Sequence, residues 1–218
     1  MNETDKLQTD PEVDSGLPLP WSLIPHLADV PHPRSWAEAS AAELFAINGW
    51  DDADGLERMT ATLELLLHQP LRELMSWRFM FLADQDLGPC FWDIGLFPMS
   101  LGGPTLDEVV SAATPEADLG TDVQAFELES IQGIQRLAVT TRRTDEVLNT
   151  GDRLTEDVIV GCAAVGVQRP IAALGQTTLL ATAATSHLEP LLASLLPMQY
   201  LITSPLLEQL IAHAEPTR

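Results

Sequence analysis

Residues Asp157 to Leu196 constrain this chain more than any other stretch. Val158, Val160, Ala163, Ala164, Val165 and Val167 form a small-residue, β-branched run almost without charge, and Pro170 interrupts it. Leu179 to Thr185 forms a second such run. Ser186 and Glu189 then spell a capping box, in which each side chain satisfies a backbone donor of a first helical turn. Leu188, Leu191, Leu192, Leu195 and Leu196 follow at helical spacing. The stretch therefore predicts a strand, a returning strand and a helix, around which everything else must pack. Pro190 falls in the first turn, where a missing donor does little harm, and Pro197 is expected to end the helix.

Upstream, the pattern supplies partners for that unit. Residues 1–16 carry five acidic residues against Lys6 and few apolar ones, which predicts a solvated, disordered acidic tail. Residues 17–34 hold Pro18, Pro20, Pro25, Pro31 and Pro33, so an extended arm is expected, with Leu17, Leu19, Trp21, Leu23 and Ile24 as an apolar strap. A helix pair is predicted over 35–70. Ser35 and Glu38 offer a capping box, Ala37, Ala41, Leu44 and Phe45 a buried face, and Gly49 a stop. Asp51 to Gly55 is an acidic turn that suits the start of the second helix. As a calcium loop it fails, with Trp50 at the first ligand position and Ala61 at the twelfth. Leu56, Met59, Leu63, Leu66 and Leu67 give the second helix its apolar face.

The period then changes to two. Trp77, Phe79 and Phe81 alternate with Arg78, Met80 and Leu82, and Cys90 to Phe97 reads as the return strand of a hairpin. Thr105 and Glu108 make a further capping box, opening a short helix through Leu106, Val109 and Val110. Val123–Leu128, Gly133–Thr141 and 152–168 are further strand candidates, Thr144–Gly151 a polar turn, and Arg169-Pro170 with Gly175 a connector. A last helix is expected over 204–214, with Leu206, Leu207, Leu210 and Ile211 on one side.

Charge decides which partners are open to the chain. Eleven Lys and Arg against 32 Asp and Glu give a net charge of −21 and a pI near 4.3. Such a surface repels nucleic-acid phosphates and anionic lipid, and Arg142-Arg143, the basic pair present, suits a strand end held by neighbouring carboxylates. One lysine against ten arginines suggests a high-GC bacterial genome. The N-terminus lacks the basic and apolar regions of a secretory signal, and no run reaches the roughly 18 apolar residues of a membrane span. A cytoplasmic protein is expected, with Cys90 and Cys162 as reduced core residues.

Reaction chemistry is hard to find in the residues. His26, His32, His68, His187 and His213 have no zinc-helix spacing and no neighbouring cysteine. Gly102-Gly103-Pro104 lacks the Lys and Ser/Thr of a phosphate loop, and no Gly-x-Ser-x-Gly occurs. Ser100 lies between a strand and Gly102, but the flanking glycines are misplaced for a nucleophile elbow. No catalytic, cofactor-binding or metal-binding residue is assigned.

The order of elements in Trp77–Phe81, Cys90–Phe97, the capped helix from Thr105, Leu137–Thr141 and Leu179–Leu196 resembles the PsbP-like α/β sandwich proteins and small proteins of high-GC bacteria. The helix pair Trp36–Leu67 departs from that pattern. The resemblance implies an antiparallel sheet flanked by helices and a binding or assembly role. The expectation is thus an α+β domain over 35–218, with a helix pair (35–70), a sheet with helices (74–200) and a C-terminal helix (204–214). It would act as a non-enzymatic accessory factor, for instance for a secretion or toxin system, bound to another protein with a basic surface and to neither nucleic acid nor membrane. A second reading is a small-molecule-binding domain or cryptic enzyme, with a pocket between the sheet and the 36–67 helices lined by Trp77, Phe81 and Trp92. A third is a homo-oligomer joined through the Leu206–Ile211 stripe.

Overall fold

The computed structural model describes residues 21–71, 74–84, 88–100, 102–114, 121–128, 133–147, 153–171, 174–205 and 207. The acidic tail, residues 17–20 of the arm, residues 148–152, and residues 206 and 208–214 of the expected last helix lie outside them.

Among the described residues, seven strands form one antiparallel sheet in the order β1-β2-β3-β7-β6-β5-β4. They are β1 (Trp21–Ile24), β2 (Trp77–Phe81), β3 (Cys90–Pro98), β4 (Thr121–Glu127), β5 (Gly133–Val147), β6 (Arg153–Ile171) and β7 (Gly175–Thr185). Four α-helices flank the sheet: α1 (Pro33–Asn48), α2 (Ala53–His68), α3 (Leu106–Ala112) and α4 (Leu188–Thr203). The α+β class and the antiparallel sheet flanked by helices are as the sequence predicts.

The two-residue period of the strands sorts their side chains onto two covered faces. On one face Phe79, Trp92, Ile94, Val165 and Leu179 meet Leu191, Met198, Leu201 and Ile202 of α4. On the other, Ile24, Met80 and Leu82 meet α1 and α2 through Ala41, Phe45, Met59 and Leu63. Further along that second face, Ala164 and Leu180 meet Leu106 and Val110 of α3. The β2–β3 hairpin is in the expected place, with Phe79 opposite Trp92. Gly166 lets α3 settle, because a Cβ there would lie 2.3 Å from the Val110 Cγ2 atom.

Local signals hold at several ends. Gly49 closes α1 in the left-handed region at φ 68°, as a C-terminal glycine should. The Asp52 side chain caps α2 by accepting from the Asp54 N–H, and Thr105 with Glu108 forms a complete capping box on α3.

Five boundaries differ from expectation. Helix α1 starts at Pro33, not Ser35, because a proline at the first helical position loses no hydrogen bond and has φ preset. Glu38 therefore pairs with Arg34 instead of closing a box. The predicted Ser186–Glu189 box is likewise absent: α4 has His187 as its cap, without a side-chain cap bond. Pro197 does not end α4, which continues to Thr203. An interior proline costs about 3 kcal/mol. Met198, Leu201 and Ile202, at most 2% exposed, lie beyond it, and burying each contributes about 1.5–3 kcal/mol. Burial outweighs the break.

Strand lengths explain the other two differences. Strand β6 runs through Arg169-Pro170 to Ile171, so that pair is not a connector. Among the described residues the β5 pairing ends at Val167, so Pro170 faces Gln176 of β7, near the end of the strand, where a missing donor is tolerated. Strand β5 extends to Val147, so Thr144–Val147 pairs with β6 and is not a turn. The proline-rich arm contributes β1, a four-residue edge strand on β2.

Candidate functional site

Arg78 and Asp93 form the most fully bonded polar group among the described residues. They are direct partners across β2 and β3, on the face that α2 covers. The Arg78 Nε and Nη2 atoms donate to the two Asp93 oxygens at 2.7 Å and 3.1 Å. Its Nη1 donates to the carbonyls of Leu66 and Gln69, both at 3.2 Å, and Nη2 to that of Pro70 at 3.3 Å. All five guanidinium N–H groups are used, and the cation sits on the carbonyl end of α2, where a helix dipole favours it. Both side chains are about one-tenth exposed. The pair pins α2 to the sheet and offers no free group for chemistry. Arg169 does the same for α4 on the opposite face, donating to Thr203 and Ser204 carbonyls at 2.9 Å and 3.3 Å.

The residues considered for catalysis are dispersed. His26 follows β1 and bonds the Ser76 carbonyl at 3.0 Å. His32 and His187 cap α1 and α4, and His68 ends α2. His213 lies outside the described residues. Among the described residues no group of three or more His, Cys, Asp or Glu is arranged to hold a metal. Cys90 and Cys162 are buried and not joined in a disulfide. Burial pushes the Cys90 thiol up to about 11. Ser100 is exposed just past β3, its carbonyl accepting from the Gly103 N–H in a turn. Arg142 and Arg143 lie in β5, opposite Val158 and Asp157 of β6; their side chains are outside the described residues.

The aromatic pocket expected under the 36–67 helices does not form from Trp77, Phe81 and Trp92. Those side chains belong to the opposite face, packed toward α4. Trp92 is fully buried, and its Nε1 donates to the Ser194 Oγ of α4 at 2.9 Å. A cavity of about 320 Å³ does lie at the end of α2, but Arg78, Phe91 and Asp93 line it. Alternation along β3 decides this: Phe91 and Asp93 point one way, Trp92 the other.

Two surface features were not legible in the sequence. The first is the outer side of α4. Leu192, Leu196 and Tyr200, four residues apart, are 52%, 57% and 69% exposed. They form one apolar stripe on a helix whose 16 residues include a single charge, Glu189. The second is a cavity of about 610 Å³ between α3 and the sheet, floored by Thr178 and walled by Phe97, Leu106, Val109 and Ile134.

Comparison with protein-family models, curated proteins and solved structures finds no match to this chain. No helix among the described residues is long and apolar enough to cross a membrane.

Proposed function

We propose that the chain is an accessory factor that binds another protein through the outer face of α4. The observation that carries this reading is the Leu192–Leu196–Tyr200 stripe. A helix on a protein surface ordinarily turns charge outward, and a contiguous apolar face marks an interaction site. The partner is a basic protein. With 32 acidic against 11 basic residues, the chain attracts positive surfaces from a distance and repels copies of itself. Charge brings the partner in, and the stripe holds it. Kinship with the PsbP-like proteins in element order is part of the same proposal, and it too favours binding over catalysis.

Affinity capture at low and moderate salt tests this with the wild-type chain and with Leu192→Ser, Leu196→Ser and Tyr200→Ser combined. The triple change alters no charge. The expected result is a basic protein, identified by mass spectrometry, that the wild type retains, the variant loses and salt weakens. Equal retention by both chains would refute the reading.

A further inference from the structure

We propose that the cavity beneath α3 binds a neutral, mostly apolar small molecule with one hydroxyl or carbonyl group, anchored by Thr178. The volume, about 610 Å³, falls within the range of ligand pockets. It lies on the face opposite α4, so it is independent of the docking stripe. The α3 helix makes its roof through Leu106 and Val109, while Phe97 and Ile134 make apolar walls.

Thr178 gives the cavity floor a polar point, with Ser100, Thr105, Asp107 and Gln168 as the other polar residues of its lining. It stands on β7 between Phe97 of β3 and Gln168 of β6, in the row that faces α3 together with Leu180. The residue is 4% exposed, no hydrogen bond from another described residue occupies its hydroxyl, and that oxygen is not among the sealed atoms that lack a partner, so it opens on the cavity. A hydroxyl on a cavity floor with no bond inside the chain can exchange water for a ligand's polar group. By contrast the Thr105 hydroxyl, at the rim, is fully engaged by Glu108. The hydroxyl at the floor can both donate and accept, which suits an alcohol or a carbonyl.

Charge narrows the class further. Among the described residues no cationic side chain lines the cavity, and Asp107 is its charged member. An anion would enter an uncompensated apolar site on a chain of net charge −21. A carboxylate of the same length should therefore bind much less well than the alcohol.

The test uses N-phenyl-1-naphthylamine, a neutral dye that fluoresces on leaving water, with the full chain. A saturable 1:1 rise in emission is expected, reversed by 1-octanol and not by octanoate. Ser100→Trp, at the exposed mouth, should abolish the rise while circular dichroism stays unchanged. Thr178→Val keeps the shape and removes the hydroxyl, and should weaken 1-octanol about fivefold, the worth of one hydrogen bond. If Ser100→Trp fails to fold, Thr178→Val decides alone. The proposal fails if no saturable emission appears, if a folded Ser100→Trp chain still binds, if octanoate competes as well as 1-octanol, or if Thr178→Val binds 1-octanol unchanged.

Discussion

Asp93 receives two hydrogen bonds from Arg78, at 2.7 Å and 3.1 Å, in a pair that is nearly sealed between β2, β3 and the end of α2. Breaking such a pair leaves one charge buried without its counter-ion. Arg78→Met or Asp93→Asn is expected to lower stability by about 3–5 kcal/mol, read from urea unfolding. Replacing both, Arg78→Met with Asp93→Leu, should recover much of that loss. Arg78→Lys should fall between, since an ammonium cannot fill five directions.

The seat of α3 makes a second prediction. Gly166→Ala would put a Cβ 2.3 Å from the Val110 side chain and 2.9 Å from Leu106. Overpacking of this size costs about 1–3 kcal/mol. Adding Val110→Ala should restore part of it. A strictly additive double variant would show that the two residues do not touch.

The Trp92 indole predicts a third effect. Ser194→Ala removes the oxygen that its N–H meets at 2.9 Å. The orphaned donor is fully buried, so a loss of about 1–3 kcal/mol is expected, measured by thermal or urea unfolding. Tryptophan emission of the folded chain should change as well.

Two titrations act in opposite directions on stability. The Thr105 backbone N–H and hydroxyl hold the Glu108 carboxyl below its ordinary range. Its contribution is therefore present above the ordinary carboxylate range and is lost as pH falls through the lowered folded value. Comparing wild type with Glu108→Gln across acid pH in urea should show a difference that closes at the low end. Burial raises the Cys90 thiol from 9.0 to about 11, so its contribution is full below 9.0 and declines as pH rises toward about 11. Ellman's reagent should react with it only as fast as the sheet opens.

The frame was legible wherever one local signal sufficed. Gly49, the acidic turn from Asp51 to Gly55 and the Thr105–Glu108 box each announced a helix end, and the aromatic alternation from Trp77 announced a strand. What failed depended on tertiary context. Leu191, Leu192, Leu195 and Leu196 look equivalent in a helix that is apolar all round, so periodicity could not say that Leu191 is buried and Leu196 exposed. The helix end at Pro197 could not be judged without the core beneath Met198 and Leu201. Arg78 reads as the polar side of a half-exposed strand, because nothing nearby in sequence reveals that β2 is covered on both faces. The Thr178 cavity brings together residues from four strands and α3, and no single spacing encodes it.

The most direct measurement is a calorimetric titration of the purified chain with the basic protein that the capture identifies. The wild type should bind in a 1:1 complex that weakens with salt. The variant carrying serine at 192, 196 and 200 should bind at least about tenfold more weakly with its melting temperature unchanged, as expected when apolar anchors are removed from an interface centre. Equal affinity for both chains would contradict the account.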